Sequence, residues 1–203
     1  YIGGGAAIYN IWETDVRFAN NLWLGNEVRT TDQSTGGGGA LGLVGTYFAI
    51  EHDTFVSNVA HNWAGGVQLG AGAIELHNNL FFDSYGSPTM GAAAMSPTEH
   101  VNWNLDESDD GQDQGFLVWK SEGNLYFPSA TASGEPRPAP AAVVIDQDPR
   151  LGELVEDAFP PYVPLLAGSP AIDAGVPREG ITVDMRGEPR DGAPDIGAFE
   201  LVP

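Results

Sequence analysis

Apolar residues in this chain come in short runs rather than in helical stripes: Ala7-Ile8-Tyr9, Val16-Arg17-Phe18, Tyr47-Phe48-Ala49-Ile50, Ala73-Ile74-Glu75-Leu76 and Phe116-Leu117-Val118-Trp119. No window keeps a 3.6-residue apolar period over three turns, and alternating or briefly continuous apolar runs predict strands. The 27 glycines and 15 prolines point the same way, because glycine weakens helices and proline breaks them.

Four of these segments superpose without gaps: Phe18-Ala19-Asn20-Asn21-Leu22-Trp23, Ile50-Glu51-His52-Asp53-Thr54-Phe55, Leu76-His77-Asn78-Asn79-Leu80-Phe81 and Val101-Asn102-Trp103-Asn104-Leu105-Asp106. Glycine clusters precede the first three. Such a repeat predicts a parallel β-solenoid with coils of about 25 residues, with a β-propeller or β-sandwich as the competing architectures. The column Asn21, Asp53, Asn79 and Asn104 is expected at the corners, since Asn and Asp tolerate the left-handed backbone region. Stacked at strand spacing, its side chains are expected to form a hydrogen-bonded ladder. Phe18, Ile50, Leu76 and Val101 would face the core, and Trp23, Phe55 and Phe81 would stack beyond the corner, a column that ends at Asp106.

The glycine, apolar and Asn-Asn coils over residues 1 to about 120 resemble secreted right-handed parallel β-helix proteins of the pectate-lyase-like superfamily. A more specific likeness lies in Asp148-Pro149-Arg150-Leu151, Ala167-Gly168-Ser169-Pro170-Ala171-Ile172-Asp173-Ala174-Gly175, Asp184-Met185-Arg186-Gly187-Glu188-Pro189-Arg190 and Asp195-Ile196-Gly197-Ala198-Phe199-Glu200. This stretch resembles the closing module of the bacterial surface proteins called choice-of-anchor Q. The resemblance implies an all-β, right-handed parallel β-helix on the outside of a cell. Residues 1–121 would carry the coils, with further coils expected before Tyr1. Residues 122–203 would form a Pro/Ala/Gly-rich extended segment and a C-terminal cap packed on the solenoid.

Charge narrows the partners. With 28 Asp and Glu against 8 Lys and Arg, the formal net charge is −20. Nucleic acid is not expected as a partner, because binding it needs a basic face that displaces counterions. Docking on an anionic membrane is disfavoured for the same reason, and no apolar run is long enough for a membrane span. Cysteine is absent, which removes disulfides, thiolate metal sites and a cysteine nucleophile.

Candidate chemistry is sparse. Asp106, Ser108, Asp110 and Asp113 sit in an acidic loop whose oxygen spacing and glycine at 111 resemble the front half of a calcium loop; Ca²⁺ is the metal such a loop would hold, and no organic cofactor is expected. The bidentate glutamate such loops carry is replaced by Leu117, and a merely solvated acidic loop is the favoured reading, with calcium binding the alternative. Trp12, Trp63 and Trp103 are candidates for stacking on sugars, with Trp119, Tyr9 and Tyr47 beside them. His52, His77 and His100 fall near corners, where stacking could bring them into a line on one outer face, and are expected to be hydrogen-bonded there rather than catalytic. Asp173, Asp184 and Asp195 alternate with Arg186 and Arg190, which predicts charge-assisted bidentate pairs.

Two functional classes follow. The first is a secreted or cell-surface structural or adhesive protein that binds a polysaccharide or cell-surface glycan and self-associates through its open N-terminal coil. The second is a carbohydrate-active enzyme, a polysaccharide lyase or glycoside hydrolase. Lys120 is the only lysine, so the cations a lyase uses on uronates are scarce, and no spacing singles out the carboxylate pair that hydrolysis requires. No catalytic residue is assigned.

Overall fold

A computed structural model of the chain describes residues 6–9, 15–29, 39–60, 65–86, 96–97, 101–102, 116–127 and 147–202. Among them there is no helix, and so none long and apolar enough to cross a membrane. Fourteen strands form: β1 (Ala6–Tyr9), β2 (Asp15–Ala19), β3 (Leu22–Leu24), β4 (Glu27–Val28), β5 (Leu41–Glu51), β6 (Thr54–Val56), β7 (Val59–Ala60), β8 (Val67–His77), β9 (Leu80–Phe82), β10 (Tyr85–Gly86), β11 (Ser96–Pro97), β12 (Val101–Asn102), β13 (Phe116–Glu122) and β14 (Leu125–Phe127).

They are arranged in three small sheets. The largest has six strands, β1-β5-β8-β12, with β2 also on β5 and β13 also on β8; the other two run β11-β10-β7-β4 and β14-β9-β6-β3. Pairing is parallel except between β10 and β11.

The single right-handed parallel β-helix expected from the sequence is therefore corrected to an all-β arrangement of three separate parallel-stranded sheets. The regular spacing behind that expectation is not kept. Side chains that pair in one column lie 32, 26 and 45 residues apart. Two different segments, β12 and β13, share the edge of β8, and an antiparallel strand ends the second sheet.

Period-two alternation explains the core. Phe48, Ile50, Ile74 and Leu76 point inward from β5 and β8 and are fully buried. They meet Phe55, Phe81 and Tyr126 of the third sheet in one apolar cluster. The aromatic row Trp23, Phe55, Phe81 and Tyr126 stacks with interplanar angles of 10°, 6° and 1°, and such pairs add about 1 kcal/mol each beyond their buried area. The row runs on to Tyr126 instead of ending at Asp106. Asp106 itself lies outside the described residues, and strand pairing continues past residue 121 to Phe127.

The other face of the third sheet is covered by the irregular segment 147–202. Leu80 and Leu125 pack there against Leu165, Ala171 and Ile196. Gly197 makes the closest approach: its φ is +101°, and an added Cβ would lie 2.6 Å from Thr54 Oγ1. Its N–H donates to Asn78 O at 2.8 Å, so a side chain at 197 would separate this segment from the sheet.

The corners differ from expectation by one residue. Positive φ falls on Asn20, His52, Asn78 and Gly123, each just before the column residue. Asn21, Asp53 and Asn79 instead pair along the column. Asn21 N donates to Asp53 Oδ1 at 2.8 Å, Asp53 N to Asn79 Oδ1 at 2.9 Å, and Asn79 N to Asn124 Oδ1 at 2.8 Å. The fourth described member is thus Asn124, in Gly123-Asn124-Leu125-Tyr126; Asn104 lies outside the described residues. A second column stands five residues on, with positive φ at Gly25, Ser57 and Asp83. There Asn26 donates from N and Nδ2 to Asn58 Oδ1, and Asn58 N donates to Ser84 Oγ.

Candidate functional site: a charged groove on the largest sheet

The residues that alternate with the core positions of β2, β5 and β8 face away from it. Their register aligns Asp15 with Tyr47 and Ala73, Arg17 with Ala49 and Glu75, and Ala19 with Glu51 and His77; Glu122 of β13 adjoins His77. A strand that is apolar on one face and charged on the other thus builds a polar surface without disturbing the core.

That surface is roofed by residues 176–179. Asn78 holds the roof down: its Nδ2 donates to Val176 O at 2.7 Å, and its Oδ1 accepts from Val176 N at 2.8 Å. Arg178 is thereby placed over Glu51, to whose Oε1 its Nε donates at 2.8 Å. Arg17 Nε donates to the other oxygen, Oε2. Glu51 has only 3% of its side chain exposed, a burial that costs several kcal/mol unless the charge is paired. Both of its oxygens are held by guanidinium groups.

Glu75 continues the network, with Arg178 Nη2 at 3.9 Å and His77 Nε2 at 3.1 Å from Oε2. A carboxylate only accepts, so the His77 proton sits on Nε2. Burial lowers the His77 pKa, against the raising effect of the bond to Glu75, and keeps the ring neutral. Its Nδ1 makes no hydrogen bond among the described residues and lies 4.0 Å from Glu122 Oε2. Tyr47 has its pKa raised by burial first and then by the charge of Glu75 and a hydrogen bond to it; its hydroxyl stays protonated.

Between sheet and roof lies an open groove of about 430 Å³, walled by Asp15, Arg17, Tyr47, Glu75, Arg178 and Glu179. Carboxylates outnumber cations in this wall. The arrangement suits hydrogen bonding to a neutral polyhydroxyl ligand: carboxylate acceptors and one aromatic ring, with guanidinium donors pre-positioned by ion pairs to Glu51.

The candidates raised by the sequence are distributed differently. Asp106, Ser108, Asp110 and Asp113 lie outside the described residues, as do Trp12, Trp63, Trp103 and His100. Among the described residues no cluster of three or more metal-ligating side chains forms. His52 and His77 do not line an outer face: they are 0% and 1% exposed. The ring of His52 lies between Asn78 Nδ2, 2.9 Å from Nε2, and Asp195 O, 3.3 Å from Nδ1.

The acids and arginines of the C-terminal segment make few of the bidentate pairs expected of them. Arg190 Nη1 donates to Glu200 and its Nη2 to Asn20 Oδ1 and Gly197 O. Asp195 accepts from the backbone N–H of Asp173 and Leu201. Asp184 does pair with Arg186, with Nε to Oδ2 at 3.3 Å, and also caps the N–H of Glu188. The sequence offered no signal for Arg178 and Glu51 as partners, which lie 127 residues apart.

No family model, curated protein or solved structure matches the chain.

Proposed function

We propose that this chain is an extracellular or cell-surface binding module with a structural or adhesive role, and that the groove beneath Arg178 takes a neutral glycan. The observation that carries this reading is Glu51, a buried carboxylate clamped from two sides by Arg17 and Arg178 on the wall of an open groove. Planar fork-shaped donors and carboxylate acceptors match the paired hydroxyls of a sugar, and Tyr47 offers a ring to its apolar face. The excess of acids repels uronates, so neutral hexose and pentose polymers are the favoured class. The likeness of the C-terminal segment to the closing modules of surface proteins supports the location.

A glycan-array screen followed by calorimetry on the strongest hit tests the reading. A neutral oligosaccharide should bind, and Tyr47→Ala should weaken it by about tenfold, the loss of one stacking contact. Equal binding by Tyr47→Ala, or binding confined to anionic glycans, would overturn it. Release of shortened or unsaturated sugars from the bound ligand would replace it with the hydrolase or lyase reading, for which His77 between Glu75 and Glu122 is the group to substitute.

A further inference from the structure

The backbone N–H groups of the column all donate one way, to the side-chain oxygen of the next member, while the Nδ2 groups of Asn79, Asn124 and Asn58 also reach back to Ile50 O, Leu76 O and Trp23 O. Asn21 donates to Asp53, Asp53 to Asn79 and Asn79 to Asn124. At the start of the series the side-chain oxygen of Asn21 receives no donor from any described residue. In the second column Asn26 is in the same position, donating to Asn58 while its own Oδ1 receives no donor from any described residue.

Backbone groups of this edge bond to the same neighbours, as donors and as acceptors. Asn20 N donates to Glu51 O, Asn21 O accepts from Thr54 N, and Gly25 N donates to Val56 O, all toward β5 and β6. Alternate residues of a strand direct their N–H and C=O to opposite sides, so Ala19, Leu22 and Leu24 direct theirs away. Among the described residues no strand occupies that side of β2 or β3. A cleft of about 410 Å³ runs beside this edge, between residues 17–21 and 180–183. Trp23, partly buried, ends the aromatic row, with Phe55 stacked on one side.

We propose that this edge is a strand-docking site for an extended polypeptide carrying a corner asparagine followed by an apolar and then an aromatic residue. Each part of that pattern has a counterpart on the page. The incoming asparagine would donate to Asn21 Oδ1 as Asn21 donates to Asp53. Its backbone would pair with Ala19 and Leu22, and its aromatic ring would lie on Trp23 as Trp23 lies on Phe55. The chemistry is that of adding a strand to a sheet edge: main-chain hydrogen bonds supply affinity and the alternate side chains supply selectivity. This inference does not depend on the glycan reading.

The test uses a labelled peptide with the sequence of residues 74–83, Ile-Glu-Leu-His-Asn-Asn-Leu-Phe-Phe-Asp, titrated against the whole chain by fluorescence anisotropy. Saturable binding is expected. It should weaken by about tenfold when alanine replaces the second asparagine, the effect of leaving acceptors unmet, and should vanish when alternate peptide amides are N-methylated. On the protein side, Ala19→Pro removes an outward N–H at an edge that tolerates proline and should reduce binding likewise, with tryptophan fluorescence reporting that the variant is folded. The N-methylated peptide keeps the test decisive if it is not. Absence of binding by the unmodified peptide, or equal binding by the N-methylated one, would overturn the proposal. Self-association of the chain that the peptide competes away would support it and identify a second copy as the occupant.

Discussion

Trp23 Nε1 donates to Asp53 Oδ2 at 2.8 Å, joining the aromatic row to the polar column at one carboxylate. Asp53 is fully buried. Its other contacts are also donors: Asn21 N and Asn21 Nδ2. Burial raises its pKa to about 7 against the lowering effect of those donors, Trp23 foremost. Asn79 and Asn124 solve the same position without charge, giving Nδ2 to Ile50 O and Leu76 O.

Asp53→Asn follows from that comparison. With its folded pKa raised, Asp53 contributes stability that is present below pH 4 and lost as pH rises toward 7. The variant should abolish that loss and be as stable as the native chain or more so at pH 8. Denaturant melts at pH 5 and pH 8 measure this, with Trp23 as the reporter. A variant that keeps the full pH dependence would refute the assignment.

His52 works in the opposite sense. Burial first, and the charge of Arg190 second, push its pKa down to about 3. A histidine kept neutral in the fold contributes stability present above its unfolded pKa of about 6.5 and lost as pH falls toward 3, with a limiting slope of about 1.4 kcal/mol per pH unit. Because its ring accepts from Asn78 and faces Asp195 O, the loss should appear at the seam between the sheets and residues 171–197. The protection factor of Gly197 N–H, its exchange rate relative to the intrinsic rate at the same pH, should fall at pH 4 in the native chain. In His52→Leu that protection factor should stay constant over the range.

Asn79→Ala should be the most damaging single change in the column. It removes the acceptor of Asp53 N and the Nδ2 donor to Ile50 O, both in buried surroundings, while Asn124 Oδ1 keeps the N–H of residue 79. A lost buried partner costs about 1–3 kcal/mol, so a total of about 2 kcal/mol or more is expected in urea melts. Asn21→Ala, at the half-buried start of the column, should cost about 1 kcal/mol. Equal costs would show that the column is not stabilised by burial.

Calcium is tested by melting temperature. A calcium-holding loop at 106–113 would raise it in millimolar Ca²⁺, reversibly with EDTA, and Asp110→Ala would then remove the rise. No shift in the native chain would leave that loop as solvated surface.

The all-β character and the inward-facing apolar positions were legible in the sequence, because a period of two fixes which side chains share a face regardless of what the strand pairs with. Asn21, Asp53 and Asn79 were legible as one column for a related reason: hydrogen bonds between like side chains need the same residue type at equivalent positions. Spacing could not be read so directly. Residues 87–115 separate Gly86 from β13, so the next described column member is Asn124, and a glycine at 123 hid the match by standing where the earlier corners have asparagine or histidine. Which sheets form, and that they are three, was decided by long-range pairing. The groove depended on tertiary structure altogether. Arg178 reaches Glu51 from a segment that Asn78 anchors at Val176, and a buried charge finds its partner by position in space, for which chain spacing carries no signal.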